Sequence, residues 1–175
     1  MLEKEKIPMQ TVTLNKMIDK LGLTNLVPEV ETDGIEINSS EINRPALQLA
    51  GYFEHFACER VQIIGYVEYS YLKSLDEEVK RKNYELFMSS RIPCVIYASR
   101  TEPDEMMIEL ARKYKKPLLS SDRATSSLMA ETIRWLNVEL APCISIHGVL
   151  VDVYGEGVLI MGESGIGKSE AALEL

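Results

Sequence analysis

The sequence predicts an α/β fold. It comprises an N-terminal three-layer-like α/β domain with a mostly parallel sheet, then the beginning of a second domain made of a β-hairpin, a glycine-rich loop and the start of a helix. Strand-like and helix-like patterns alternate from residue 61 to residue 136, which is typical of helices packed on a parallel sheet. After Pro142 a long β-rich run replaces the alternation. We therefore expect one domain over residues 1–135 and the beginning of another over residues 136–175.

The composition is that of a folded globular chain. Hydrophobic residues make up 46% of the 175 residues and charged residues 26%, which excludes an intrinsically disordered chain. The net charge is −8, from 19 basic and 27 acidic residues, and an acidic chain repels phosphate backbones and anionic lipid surfaces. We therefore expect no nucleic-acid partner and no membrane partner.

The location predicted from the sequence is the cytoplasm. No window approaches the ~18 consecutive apolar residues that suggest a membrane span. The charged N-terminal segment is not followed by a long apolar stretch, so it does not resemble a signal peptide. The three cysteines are far apart and form no CxxC pair, which is typical of a reducing compartment.

Short local signals mark the first elements. Thr13 is a helix-starting residue and Gly22 a stop, so a helix is expected between them. Its inward face is formed by residues at helical spacing: Leu14, Met17, Ile18 and Leu21. Residues 34–37 fit a short strand, and the β-branched run 61–65, which ends in glycine, fits another.

A helix is expected after residue 74. Ser74 and Glu77 have the spacing of a capping box, in which a hydroxyl and a carboxylate satisfy backbone N–H groups at the helix start. The apolar residues that follow predict its buried side, formed by Leu75, Val79 and Leu86.

Two further strand–helix units follow. Residues 93–98 have a buried-strand pattern, and Pro103 fits the first turn of a helix that continues to about Tyr114. Residues 117–120 predict a third strand, and residues 124–136 predict a helix. The inward face of this last helix is predicted to contain Leu128, Thr132, Trp135 and Leu136.

A phosphate-binding motif lies in the second domain. Residues 162–169 match G-x-x-x-x-G-K-[ST], in which glycines let backbone N–H groups turn toward a polyphosphate. The lysine ammonium can follow the β- and γ-phosphates, and the next hydroxyl can bind Mg²⁺. An apolar strand before the loop and a helix-forming segment after it supply the required context. The predicted binding residues are Gly162, Glu163, Ser164, Gly165, Ile166, Gly167, Lys168 and Ser169.

His147 is a candidate for proton transfer or for stabilising phosphate charge. Residues 144–154 and 158–161 are predicted as the strands of a hairpin with its turn at 155–157. If the turn centres on Glu156, His147 lies opposite Gly165, at the level of the loop. A purely structural histidine is equally compatible with the sequence. The carboxylates of Asp152 and Glu163 are expected to face solvent.

Residues 147–170 closely resemble the HPr kinase/phosphorylase family of bacteria. The resemblance rests on the His-Gly start, the Tyr-Gly-x-Gly turn and the Gly-Lys-Ser-Glu ending, which together are more specific than the phosphate loop alone. The order of elements over residues 1–136 is also similar to the N-terminal domain of that family. The resemblance therefore covers the whole chain.

The resemblance implies a bifunctional serine kinase/phosphorylase. With Mg²⁺ and ATP, or with pyrophosphate, this family phosphorylates a regulatory serine of HPr, the phosphocarrier protein of the sugar phosphotransferase system. With inorganic phosphate it reverses the reaction and thereby regulates the use of carbon sources. By the same resemblance, Lys168 and His147 are catalytic residues, Ser169 is a Mg²⁺ ligand, and the protein assembles as homohexamers.

The resemblance also implies that part of the catalytic machinery lies beyond Leu175. The catalytic aspartate, the acidic Mg²⁺ ligand and the HPr-contacting segments of the family have no counterparts in these residues. We therefore expect a truncated kinase domain that is inactive alone. Two other functions remain open at this stage: a non-catalytic N-terminal regulatory or interaction module, and an unrelated P-loop NTPase.

Overall fold

A computed structural model of the chain describes residues 10–143 and 147–174. The chain divides into two compact units, Met1–Pro142 and Cys143–Leu175. The elements of the first unit are β1 (Val12–Thr13), α1 (Leu14–Leu21), β2 (Thr24–Asn25), β3 (Glu36–Ile37), β4 (Ile42–Asn43), α2 (Ala46–Leu49), β5 (Val61–Ile64), α3 (Tyr66–Ser74), α4 (Glu77–Ser89), β6 (Val95–Tyr97), α5 (Glu105–Tyr114), β7 (Leu118–Ser120) and α6 (Thr125–Glu139). Those of the second unit are β8 (Gly148–Val153), β9 (Glu156–Met161) and α7 (Lys168–Leu173).

A five-stranded sheet forms the centre of the first unit. Its strand order is β2-β7-β6-β5-β4. The four strands β4 to β7 are parallel, and β2 joins the edge antiparallel to β7. A separate two-stranded antiparallel sheet pairs β1 with β3. The predicted α/β fold with a mostly parallel sheet is therefore confirmed.

Both faces of the sheet are covered by helices. Ile63, Ile96 and Leu119 belong to one buried cluster, together with side chains of α1 and α6. Ile64 and Tyr97 belong to the other, together with side chains of α2 to α5. Because successive side chains of a strand point to opposite faces, β5, β6 and β7 each contribute to both clusters, and the unit has three layers.

Two of the predicted helices, α1 and α6, begin or pack as the sequence indicates. The Thr13 hydroxyl accepts a hydrogen bond from the backbone N–H of Lys16 at the start of α1, and Gly22 ends that helix with a left-handed φ of 60°. The predicted position of Pro103 in the first turn of a helix is wrong, because α5 begins at Glu105 and its cap is Asp104, which accepts from the N–H of Met107. The predicted inward face of α6 is confirmed, since its buried residues are Leu128, Thr132, Trp135 and Leu136.

The predicted capping box at Ser74 and Glu77 is wrong. Ser74 is the last residue of α3, and its hydroxyl donates to the carbonyl of Tyr71. The residue that caps α4 is Asp76, whose carboxylate accepts from the N–H groups of Glu78 and Val79. A carboxylate in this position also interacts favourably with the positive end of the helix, so the stronger cap lies two residues later than predicted.

The predicted buried side of α4 is also wrong in part. Val79 and Leu86 are 48% and 46% exposed, whereas the buried face contains Lys80, Asn83, Tyr84, Phe87 and Met88. The polar members of that face have partners: Asn83 donates to the carbonyl of Leu49, and Lys80 pairs with Glu77 and Asp104. Because these partners offset the cost of burying polar groups, the face with the larger aromatic side chains packs inward.

The neighbouring residues Phe87 and Leu86 test this assignment. Phe87→Ala is expected to lower the free energy of unfolding by about 3–5 kcal/mol, because it opens a cavity in the core. Leu86→Ala, the matched control on the same helix, is expected to change it by less than about 1 kcal/mol. Denaturant unfolding can be followed through the fluorescence of the single tryptophan, Trp135. Equal losses for the two variants would contradict the assignment.

Candidate functional site

The second unit begins with a regular antiparallel hairpin. β8 and β9 pair over six positions, from Gly148 opposite Met161 to Val153 opposite Glu156. The two connecting residues, Tyr154 and Gly155, have φ values of 55° and 86°, as the tight turns that match strand twist require. The predicted turn centre at Glu156 is therefore wrong, since Glu156 is a paired strand residue.

Asp152 stabilises this turn. Its side chain is exposed, as predicted, but its carboxylate also accepts a hydrogen bond of 2.8 Å from the N–H of Gly155. Aspartate commonly forms such bonds to nearby backbone groups in turns. The residue therefore fixes the register of the hairpin.

The register changes the predicted position of His147. Gly148 pairs with Met161, so His147, one residue earlier, is level with Gly162 at the start of the loop and not with Gly165. The proximity to the loop nevertheless holds. His147 is exposed and lines a cavity of about 320 Å³ together with Gly148, Val149, Ser164, Gly165, Gly167, Lys168, Ser169 and Glu170.

The loop between β9 and α7 requires glycine at several positions. Gly165 and Gly167 have left-handed φ values of 84° and 91°, which L-residues with a side chain rarely adopt. A Cβ atom on Gly162 would lie 3.1 Å from the side chain of Ile166. The three glycines of the motif therefore occupy the positions where the backbone needs them.

Lys168 lies inside this loop. Its ammonium donates to the carbonyl oxygens of Gly162 at 2.9 Å and Glu163 at 2.6 Å, and the residue is only 9% exposed. Lysine is rarely buried unless its ammonium has partners. The loop thus holds one positive charge at its centre, while the side chain of Glu163 is exposed, as predicted.

Ser169 and Glu170 complete the cavity at the start of α7. Ser169 is exposed and lines the cavity, so its hydroxyl can serve as one oxygen ligand of a magnesium ion. Mg²⁺ takes six oxygen ligands and keeps several waters, and the described residues contain no group of three or more His, Cys, Asp or Glu side chains that could hold a metal. Ser169 therefore fits as one ligand of a metal that phosphate oxygens also bind.

Sequence reasoning did not assign Glu170, Gly148 and Val149 to this site. Glu170 directly follows the motif, and Gly148 and Val149 directly follow His147. Gly148 and Glu170 also belong to the His-Gly and Gly-Lys-Ser-Glu motifs of the family resemblance, which was the signal that could have found them. In the part of the chain that the structure describes, no helix is both long and apolar enough to cross a membrane.

The unit has the strand, glycine-loop and helix order of phosphate-loop proteins. Two family models match the chain. One, described as "HPr Serine kinase N terminus", matches residues 12–136, and the other, described as "HPr Serine kinase C-terminal domain", matches residues 138–175. The chain therefore belongs to the HPr kinase/phosphorylase family.

Curated relatives agree with these matches. A protein of Lachnoclostridium phytofermentans named HPr kinase/phosphorylase is 52% identical over 95% of this chain and 54% of its own length. A protein of Alkaliphilus metalliredigens with the same name is 43% identical, also over 95% of this chain and 54% of its own length. The chain spans about half the length of the curated relatives it matches.

One solved structure shows a weak likeness. It contains the CBS and DRTGG domains of the regulatory region of a Clostridium perfringens pyrophosphatase and is 13% identical to this chain. The TM-score is 0.48, and the alignment covers 74% of this chain and 50% of the other. This likeness carries no argument about function.

The hairpin turn can be tested with a matched pair of glycines. Gly155→Ala is expected to destabilise the hairpin by about 1–2 kcal/mol, because alanine disfavours the left-handed conformation. Gly157→Ala has open space around the added methyl group and no left-handed φ, so it should have little effect. Hydrogen exchange at the backbone amides of β8 and β9 measures the difference. Equal acceleration of exchange by both variants would contradict the turn assignment.

Proposed function

We propose that this chain is the phosphate-binding part of a serine kinase/phosphorylase that acts on HPr. The observation that carries the proposal is the buried ammonium of Lys168, held by a glycine loop in a cavity that His147 also lines. A partly enclosed positive charge beside a loop whose backbone N–H groups can turn toward an anion is suited to a polyphosphate. Membership in the HPr kinase/phosphorylase family supports the same chemistry.

Each residue of the site has a proposed role. Residues 162–169 bind the phosphates of ATP or pyrophosphate through their backbone N–H groups. Lys168 balances the charge of the β- and γ-phosphates, and Ser169 provides one ligand to Mg²⁺, which neutralises charge that develops on the phosphate oxygens. His147 accepts or relays the proton of the reacting serine hydroxyl, or stabilises phosphate charge when it is protonated.

The wider function follows from the family. HPr is the proposed protein substrate, phosphorylated on a serine with ATP or pyrophosphate and dephosphorylated with inorganic phosphate. We further propose a homo-oligomeric, cytoplasmic protein that takes part in the regulation of carbohydrate use. The boundary between the N-terminal domain and the kinase domain is proposed to lie between residues 135 and 136. The phosphate loop and its hairpin then belong to the kinase domain.

These 175 residues are proposed to bind phosphates without transferring them. Transfer to a serine requires a complete Mg²⁺ shell and a base that takes the hydroxyl proton. Ser169 supplies one ligand, and the family resemblance supports the view that the catalytic aspartate and the acidic Mg²⁺ ligand have no counterparts among these residues. The phosphate loop is therefore necessary for the reaction but not sufficient.

The first test of the loop is Lys168→Ala. The 175-residue chain is expected to bind pyrophosphate and Mg²⁺-ATP saturably, and the variant is expected to lose about tenfold or more in affinity, because the phosphates lose a charge-assisted partner. Titration calorimetry measures the affinities. Lys82→Ala removes an exposed lysine of α4 and is the matched control. No binding by the unaltered chain would instead favour a non-catalytic module.

The second test concerns transfer. The 175-residue chain, mixed with HPr and Mg²⁺-ATP, is expected to form no phosphoserine, because the catalytic aspartate and the acidic Mg²⁺ ligand of the family have no counterparts among these residues. Mass spectrometry of HPr measures the product, and the curated relative of Lachnoclostridium phytofermentans serves as the positive control. Phosphorylation of HPr at a rate comparable with that control would refute the proposed insufficiency of these residues.

A further inference from the structure

The phosphate cavity of the second unit contains one carboxylate to which the proposed function gives no role. Glu170 lines this cavity together with Lys168 and Ser169. Its oxygen Oε2 lies 3.8 Å from the position that a Cβ atom on Gly167 would occupy. The side chain therefore folds back toward the glycine loop, and it places a negative charge at a site that is proposed to hold anions.

Helix stability explains only part of this arrangement. Glu170 lies in the first turn of α7, where the positive end of a helix favours an acidic side chain. That effect does not require the carboxylate to line the cavity. Among the residues that the structure describes, none forms an ion pair with Glu170. Its charge is therefore available to a ligand that enters the cavity.

Other carboxylates of the second unit do not share this position. Glu163 contributes its backbone carbonyl to Lys168, but its own side chain is exposed. Glu174 is exposed at the end of α7, and Asp152 bonds the hairpin turn. None of these three residues lines the cavity. An acidic side chain in contact with the ligand space is thus a specific property of Glu170.

The two formal charges of the cavity cancel before any phosphate binds. Lys168 supplies one positive charge and Glu170 supplies one negative charge. The carbonyl oxygens that hold the ammonium of Lys168, at 2.9 Å and 2.6 Å, add partial negative charge. A polyphosphate without a metal carries several negative charges, and juxtaposed like charges oppose binding. The carboxylate of Glu170 therefore disfavours the metal-free form of the ligand.

The same carboxylate favours a polyphosphate that carries Mg²⁺. Magnesium in phosphate sites is commonly bound by one or two carboxylates together with phosphate oxygens of the substrate. The hydroxyl of Ser169 and the carboxylate of Glu170 line one cavity, and both are oxygen donors of the kind that this ion prefers. The charge of a bound cation dominates its surroundings, so Glu170 is attracted to the complex although it is repelled by the free anion.

We propose that Glu170 is a specificity-determining residue, which selects polyphosphates complexed with Mg²⁺ over metal-free polyphosphates. The proposal rests on the proposed function of the phosphate loop and deepens it by naming the form of the substrate. Lys168 and the backbone N–H groups of the loop attract either form, whereas Glu170 discriminates between them. Glu170 acts through its charge and takes no part in proton transfer.

The first experiment measures the metal preference of the site. The 175-residue chain is titrated with pyrophosphate, once with EDTA and once with excess Mg²⁺, and calorimetry gives the two dissociation constants. One pH and one ionic strength of about 0.1 M keep the charge of His147 and the screening by salt constant. The unaltered chain is expected to bind the Mg²⁺ complex at least about tenfold more tightly than free pyrophosphate.

Glu170→Gln removes the charge and nearly preserves the shape. The variant is expected to bind free pyrophosphate about threefold or more tightly than the unaltered chain does, because one repulsion is lost. Its affinity for the Mg²⁺ complex is expected to stay the same or to fall. A carboxylate that only stabilises α7 predicts a different result, namely equal losses of affinity for both forms. That result, or an unchanged metal preference, would overturn the proposal.

Two matched variants separate local charge from shape and from net charge. Glu170→Asp keeps the charge on a shorter side chain and is expected to retain most of the metal preference. Glu174→Gln removes the same charge from the other end of α7 and is expected to leave the preference unchanged. Loss of the preference in either variant, to the extent seen in Glu170→Gln, would contradict the role of a local charge.

Lys168→Ala distinguishes this proposal from the proposed function on which it rests. Unchanged pyrophosphate binding by Lys168→Ala, or no binding by the unaltered chain, would refute the phosphate site itself and the role of Glu170 with it. Weakened binding by Lys168→Ala, combined with a full metal preference in Glu170→Gln, would refute only the role of Glu170. Weakened binding by the first variant and a reduced preference in the second would support both.

Discussion

Burial of the parallel sheet on both faces constrains the rest of the first unit. The central strands are only three or four residues long, and every residue of β5 and β6 is buried. A polar residue fits there only if all its groups are paired. Gln62 meets this condition, because its amide bonds Asn43 and the carbonyls of Ala57 and Arg60. The buried sheet therefore accepts a polar side chain only where the surrounding residues pair each of its groups.

Two neighbouring regions at those carboxyl ends differ in how well their polar groups are satisfied. After β5, the carboxylate of Glu68 accepts from the N–H of Gly65 at 3.0 Å and from Arg44 at 2.6 Å. Gly65 is so closely packed that a Cβ atom would lie 2.7 Å from the hydroxyl of Thr125. This region is a closed structural network. After β6, in contrast, the Tyr97 hydroxyl is buried and has no partner within the described residues, and the residue forms part of the wall of a cavity.

The phosphate loop was the most predictable part of the candidate site, because its residues are contiguous. The glycines, the lysine and the serine hydroxyl lie within eight consecutive positions. Gly165 and Gly167 adopt the left-handed conformations that glycine permits. His147 is distant in sequence, so its placement depended on the hairpin register. The sequence pattern suggested a turn centred on Glu156, whereas the left-handed pair Tyr154 and Gly155 forms the turn. One wrong turn centre shifted the predicted partner of His147 by three residues.

The sequence by itself determined the alternation of strands and helices after residue 61, except for α3, and it determined the start of α1 at Thr13 and the buried face of α6. These features depend on caps and apolar spacing within a few residues, which local sequence records. Only the tertiary structure decided that α4 buries Phe87 and exposes Leu86, and that Tyr97 meets Asp104 in one cavity. Both outcomes depend on side chains brought together from separate elements, and a helix with two partly apolar faces does not specify which face those elements will cover.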